Sequence, residues 1–409
     1  MKTNAVTEYI KQNWIKTIWD NKTEREGEMV RLAKPYTVPC IRDTFTHFYY
    51  WDTYFTNLGL LLDGMVEQAE NNLDNMKFFI DKIGFVPNVS EVQNRSQPPV
   101  FTRGVYDLYQ HTKDLKIIEK YLDAIVKEFA FWENDRKTPC GLNAYGNGAT
   151  NTYLLQFHTR IGERMNIEKE KGLDKLSLAK DLLAIAESGW DFNLRFMVEG
   201  NRFASTQFAH LDLNCLLYDA ERKAAEMAAL VGRKELSAEL YAKAESRKAL
   251  MDKYMLDKKS GIYYDYNFKT GEHGRVTSCA SLYPYAVGLS DDQKAAKAVL
   301  EKLELPFGLS SCEEVAGEER YQWGYPSMWP TNVYFAFTGL DKIGRKEDGE
   351  RVAKKYVDCL ERVYETTGSL WEKYDAFIGD VSVTAEYKTP QMLGWTAGIY
   401  LFIKDYYGI

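Results

Sequence analysis

The sequence predicts an all-α protein folded as one large domain. Apolar residues recur at helical spacing from end to end. Strand signals are confined to one short hairpin, and no linker rich in Pro or Ser divides the 409 residues. That length suits two average domains or one large one, and a hydrophobic content of 45% supports a substantial core. A toroid of paired helices is one economical arrangement, with a ligand at the mouth where the loops converge. Periodicity is equally compatible with another bundle.

The first strong signal is aromatic. Phe48-Tyr49-Tyr50-Trp51-Asp52-Thr53-Tyr54-Phe55 places six aromatics and one carboxylate in eight residues. Such a run suits a core helix. It also suits a sugar site, where an aromatic face stacks on the C–H face of the ring and a carboxylate accepts hydrogen bonds from hydroxyls. Residues 58–83 continue a helical pattern, as do 115–134. Residues 177–188 follow with Gly189 as their breaker, then 212–231 with Gly232 as a C-terminal stop. Residues 235–256 are rich in Ala, Leu and Lys. The stretch Gly261 to Tyr266, followed by Lys269-Thr270-Gly271, reads as a short hairpin. Further helices are expected over 291–303, 328–339 and 348–366, with a last one from near Pro390 to Tyr407.

Composition excludes several function classes. The formal charge is −7, from 52 basic and 59 acidic residues with no basic block, so nucleic acid is not expected as a partner. The six cysteines (40, 140, 215, 279, 312, 359) show neither zinc-ribbon nor redox-pair spacing. The five histidines are scattered, so no catalytic metal is expected. No run approaches the ~18–20 apolar residues of a membrane span. The first fourteen residues, with Lys2, Glu8 and Lys11, do not read as a signal peptide. A soluble cytoplasmic protein is the expectation, or a periplasmic one if a leader has been removed. Aromatics reach 14%, with 28 Tyr and 9 Trp, which suits a sugar pocket as well as a core.

Two carboxylate motifs stand out. In Glu187-Ser188-Gly189-Trp190-Asp191-Phe192, Asp191 sits between two aromatics. Apolar neighbours raise a carboxyl pKa by desolvating its charged form, which suits a general acid. A helix N-cap explains the same Asp. In Leu370-Trp371-Glu372-Lys373-Tyr374-Asp375, Glu372 is flanked by an aromatic, although a surface strand accounts for it too. A third acid, Glu386, precedes Gly394-Trp395-Thr396. Residues 322–330 hold Trp323, Tyr325, Trp329 and two prolines, a rigid flat-walled surface. Arg42, Arg95, Arg160 and Arg164 are candidate bidentate donors to hydroxyls or carboxylates.

Together these segments resemble the α,α-trehalases of glycoside hydrolase family 37, as a divergent, short member. The family's Phe-Tyr-x-Trp-Asp-x-Tyr is similar to residues 48–54, with Arg42 standing for its preceding arginine at nine residues before Trp51 instead of seven. Its Pro-Asn and Arg-Ser-Gln-Pro-Pro resemble Pro87-Asn88 and residues 95–99. Its Glu-Ser-Gly-Trp-Asp-Phe is identical to 187–192. Asp-Leu-Asn matches 212–214, Gln-Trp matches Gln322-Trp323, Glu-Lys-Tyr matches 372–374, and Glu-Tyr before Gly-Trp-Thr resembles 386–396.

The resemblance implies an (α/α)6 barrel with minor hairpins and an inverting hydrolysis that needs no metal or organic cofactor. It implies Asp191 as general acid and Glu372 as general base. Arg42, Trp51, Asp52, Asn88, Arg95, Gln97, Arg164, Gly189, Trp323 and Glu386 would hold the sugar, with Arg160 as the alternative to Arg164. The family's Gly-rich run before Glu-Tyr is absent; residues 375–384 read Asp-Ala-Phe-Ile-Gly-Asp-Val-Ser-Val-Thr. The expected activity is trehalose hydrolysis. A related inverting hydrolysis of another α-glucoside or mannoside, such as a glycosylglycerate, is the alternative. A sugar epimerase would use histidines as acid and base, and a non-catalytic sugar binder would not need both carboxylates.

Overall fold

A computed structural model describes residues 3–20, 30–41, 44–165, 174–198, 202–316, 321–382, 388–391 and 393–409, with the backbone alone at 163–165. Among these residues fourteen α-helices run Ala5–Thr17 (α1), Tyr50–Leu62 (α2), Val66–Ile83 (α3), Phe101–Thr112 (α4), Leu115–Asp135 (α5), Asn151–Met165 (α6), Lys175–Ser188 (α7), Leu211–Leu230 (α8), Lys234–Tyr254 (α9), Tyr283–Ala286 (α10), Gln293–Leu303 (α11), Pro330–Lys342 (α12), Lys346–Thr367 (α13) and Gly394–Tyr407 (α14).

Six of them form a closed inner ring. Helices α2, α4, α8, α10, α12 and α14 touch in that order, and α14 returns to α2. Outside it, α3 packs on α2 and α4, α5 on α4 and α8, α9 on α8, and α13 on α12 and α14. Helix α1 lies against α14, and α11 against the 3-10 turn Cys279–Leu282 that leads into α10. This is an (α/α)6 barrel. Helices α6 and α7 form an added hairpin between α5 and α8.

Burial distinguishes the two rings. Every residue of α2 from Tyr50 to Leu61 is buried, as a helix enclosed on all sides requires. Helix α9 buries only Ser237, Leu240, Ala244, Arg247 and Met251, a single stripe at three- and four-residue spacing. The ring closes where α14 meets α2 without room for side chains. A Cβ on Gly398 would lie 1.9 Å from the Phe55 carbonyl oxygen, and one on Gly59 would lie 2.8 Å from the Gly398 Cα. Near the start of α2, the Tyr50 hydroxyl donates to Glu128 Oε1 (2.6 Å) and accepts from the Val100 and Phe101 amides (3.1 and 2.9 Å). One buried phenol thus joins α2, α4 and α5.

The structure corrects some boundaries. Residues 58–83 are not one helix: α2 ends at Leu62 and α3 begins at Val66, with Gly64 between them at φ +75°. Only glycine adopts that left-handed backbone without steric cost. The last helix begins at Gly394, because Pro390 and Gln391 are extended against residues 371–372: the Glu372 amide donates to the Pro390 carbonyl (3.1 Å), and Trp371 pairs with Gln391. The expected hairpin is present as Tyr266–Asn267 against Glu272–His273, and a third strand, Phe208–Ala209, joins it. No helix among the described residues is long and apolar enough to cross a membrane.

Candidate active site

A cavity of about 460 Å³ opens at the end of the barrel where α2, α12 and α14 begin. Trp51, Asp52, Asn88, Arg95, Gln97, Gly189, Asp191, Trp323 and Glu372 all line it. Nine residues singled out from the sequence, spread from 51 to 372, therefore meet at one place. Arg42 and Glu386 lie outside the described residues. Arg164 falls on α6 with its side chain undescribed, whereas Arg160, one turn earlier, lines the cavity. A larger cavity of about 630 Å³ lies beside Trp371 and Lys388, but none of the candidate residues lines it.

The aromatic run divides its work. Phe48, Tyr50, Tyr54 and Phe55 are core. Trp51 is only 1% exposed yet forms part of the cavity wall, so it serves packing and pocket together. Its ring lies 5.8 Å from Trp323 and 6.0 Å, edge-on, from Trp395. Trp323 in turn stacks on Trp329 at 3.8 Å and 7°, and leans on Trp190 at 5.3 Å. Each such pair contributes about 0.5–1.5 kcal/mol beyond area burial. The wall is rigid because its indoles are also tethered. Trp395 Nε1 donates to the Glu372 carbonyl and Trp329 Nε1 to the Gln322 carbonyl, both at 3.0 Å.

Gly189 ends α7 at φ +72°, as its helix-breaking role predicts. A Cβ there would meet Trp51 Cζ2 at 2.9 Å, so the loop carrying Asp191 packs directly on the aromatic floor. Asp191 is not a helix N-cap. Its loop is closed by Asn193, which donates to the Trp190 carbonyl (2.6 Å) and accepts from the Arg195 amide (2.7 Å). The Trp323 amide donates to the Phe192 carbonyl (2.9 Å), joining this loop to the Trp323 wall. Nor is Glu372 on a surface strand: it is 2% exposed.

Three carboxylates thus share one cavity. Burial, helped by the nearby charges of Glu372 and Asp191 and opposed by a backbone hydrogen bond, pushes the Asp52 carboxyl up to about 8. Near neutral pH Asp52 is therefore mostly protonated in the empty site.

Polar groups line the same cavity. The Gln97 side-chain oxygen accepts the Trp51 amide (3.1 Å), which ties the α2 start to the loop before α4. Arg95 donates to Asn88 and Tyr153 (both 3.4 Å) and to Asn94 (3.0 Å). Phe157 of α6 carries Arg95 at 5.8 Å and Arg160 at 5.5 Å from its ring. Burial would raise the Tyr153 phenol, but the Arg95 charge and the hydrogen bonds around it hold it below its ordinary value. Among the described residues no group of three His, Cys, Asp or Glu is placed to hold a metal ion.

Sequence reasoning missed the groups that hold these in place. Glu187 is fully buried and accepts four hydrogen bonds: from Arg136 Nε and Nη2 (2.7 and 2.8 Å), and from the Ser96 and Gly146 amides (2.7 and 2.6 Å). It links the end of α7 to the Arg95 loop. Arg195 forks onto Asp265 (2.9 and 2.8 Å), reaches Asp212 (2.6 Å), and lies 4.4 Å from the Trp190 ring. The six-residue motif around Asp191 was a signal for Glu187, but its partner lies 51 residues away, outside any local pattern.

The comparisons agree with this picture. The neutral trehalase of Saccharomyces cerevisiae superimposes with a TM-score of 0.75 at 24% identity, over 99% of this chain and 80% of that one. A family 63 mannosylglycerate hydrolase from Thermus thermophilus matches at 0.66 and 16% identity, over 97% of this chain and 99% of that one. A family 78 rhamnosidase of a Bacillus species matches at 0.61 and 14% identity, over 99% of this chain and 35% of that one. These likenesses show the fold. A model of the family described as trehalase matches residues 1–408, and by that match the chain belongs to the trehalase family of glycoside hydrolases.

Proposed function

We propose that this chain hydrolyses α,α-trehalose to glucose with inversion at the attacked anomeric carbon. Asp191 is the general acid: it protonates the bridging oxygen as the glycosidic bond breaks. Glu372 is the general base: it takes a proton from the water that attacks the opposite face of the ring. An inverting pair of carboxyl groups stands ~6.5–9.5 Å apart, to leave room for that water. The observation that carries the reading is that Asp191 and Glu372 line one aromatic-walled cavity, and that both charges reach Asp52 there. Trp51 and Trp323 offer flat faces to the sugar. Asp52, Asn88, Arg95 and Gln97 supply hydrogen bonds to its hydroxyls, with Arg42, Arg164 or Arg160, and Glu386 completing the set by resemblance.

A second reading keeps the chemistry and changes the glycoside that is cut. Two guanidinium groups, Arg95 and Arg160, flank Phe157 at one side of the cavity, and residues 375–384 replace the family's Gly-rich run. Both features suit an α-glucoside or α-mannoside of an acid such as glycerate. A hydrolysis screen of trehalose, glucosylglycerate, mannosylglycerate, kojibiose and nigerose separates the readings. Trehalose is expected to give the highest kcat/KM. Faster cleavage of a glycerate glycoside would transfer the assignment to the second reading, and no cleavage of any would refute both.

A further inference from the structure

Neighbouring side chains on an extended strand point to opposite faces, yet Glu372 and Lys373 meet. Lys373 Nζ lies 3.3 Å from Glu372 Oε2, with the two side chains 0% and 2% exposed. The chain bends at Glu372, which lets the lysine side chain return to its neighbour. The same ammonium lies 5.0 Å from the Trp329 ring, and Trp329 is stacked on Trp323 of the cavity wall. The backbone on either side is held as well: the Glu372 amide by Pro390, its carbonyl by Trp395, and the Trp371 carbonyl by the Thr396 hydroxyl (2.8 Å).

Burying an ammonium group is costly unless a partner compensates it. Here the surroundings are acidic. The charge of Glu372 reaches Asp52, Cys40 and Tyr49, and that of Asp191 also reaches Asp52. Among the described residues, Lys373 stands at the Glu372 carboxylate, and Arg95 and Arg160 line the same cavity. Three carboxyl groups in one cavity compete for protons, and a cation within ~4 Å favours the ionised form of the one it touches.

We propose that Lys373 is a positioning residue, which keeps Glu372 the ionised carboxylate of the three and fixes its orientation against the aromatic wall. This rests on Glu372 acting as the general base. With Lys373 in place, Glu372 stays ionised while protons are held by the other carboxyl groups, so the base is assigned before substrate binds.

The test is the pH profile of kcat/KM for the wild type, Lys373→Met and Lys373→Arg, with folding checked by circular dichroism. Lys373→Met is expected to lower kcat by ~10-fold or more, to leave KM within about twofold, and to move the acid limb up by ~1–2 pH units. Lys373→Arg keeps the charge and is expected to leave the limb in place. In the wild type, carbon-13 NMR of the side-chain carboxyl groups, with Glu372 identified by its loss in Glu372→Gln, should show Glu372 taking up its proton at lower pH than Asp52. An unmoved acid limb in folded Lys373→Met overturns the proposal, and so does protonation of Glu372 above Asp52. Full turnover by Glu372→Gln would place the failure in the base assignment instead.

Discussion

Relative to the wild type, Asp52→Asn should be increasingly stabilising as the pH rises, although it removes a group proposed to bind substrate. Asp52 has an ordinary value of 3.8 and is pushed up to about 8 in the folded protein, chiefly by burial. Between those values the unfolded chain binds fewer protons at this site than the folded one. The sign is therefore fixed: stability falls as pH rises through the window, and the loss is complete above pH ~8. Each pH unit of such displacement corresponds to ~1.4 kcal/mol, so ionising Asp52 inside the folded protein costs on the order of 6 kcal/mol. Asparagine cannot ionise, and Asp52→Asn escapes this cost. Unfolding entropy is ~2.1 cal/mol/K per residue, so for a chain of this length ~6 kcal/mol corresponds to a Tm difference of roughly 7 °C. The assay is thermal or urea unfolding of both proteins at pH 5 and pH 8.5. The variant-minus-wild-type difference should shift by several kcal/mol in favour of the variant at the higher pH. Glu128, pushed up to about 7 by burial, adds a similar slope to both proteins and cancels in the difference. An equal difference at both pH values would refute the burial argument for Asp52.

Two further substitutions probe the frame of the site. Glu187→Gln removes the charge that Arg136 forks onto and leaves a buried guanidinium poorly paired; a loss of roughly 3–5 kcal/mol in urea unfolding is expected, with kcat falling as the Asp191 loop shifts. Unchanged stability would show that the pair is not structural. Gly398→Ala forces α14 off α2, because its Cβ would sit 1.9 Å from a backbone oxygen. Overpacking of ~1–3 kcal/mol should outweigh the ~1 kcal/mol helix-propensity gain of alanine, and a raised Tm would contradict the close crossing.

The helices that sequence patterning finds most easily are those with one buried stripe, such as α13 and α5, where 348–366 and 115–134 land within two residues of the observed ends. It misses α1, α4 and α6, although α1 and α4 each bury one face, and it joins α2 to α3 across Gly64, because α2, buried all round, carries no stripe to mark its end. The position of the site is legible through short motifs: Trp51, Asp52, Asn88, Arg95, Gln97, Asp191, Trp323 and Glu372 converge on one cavity. What holds them there is not legible. The partnership of Glu187 with Arg136, and that of Arg195 with Asp265, span 51 and 70 residues and depend on the fold being complete. The protonation of Asp52 is likewise a product of burial and of two distant carboxylates, and no local sequence feature encodes it.

The most direct test of the central claim is proton NMR of the sugar first released from α,α-trehalose, recorded before mutarotation mixes the anomers. Water attacking across from Asp191 inverts one anomeric carbon, while the other glucose leaves with its configuration intact. The wild type should therefore release α- and β-glucose in equal amounts at the start, and Asp191→Asn should release neither while keeping its fold. Initial release of α-glucose alone would mean retention, and would contradict a scheme in which Asp191 and Glu372 act on opposite sides of the bond.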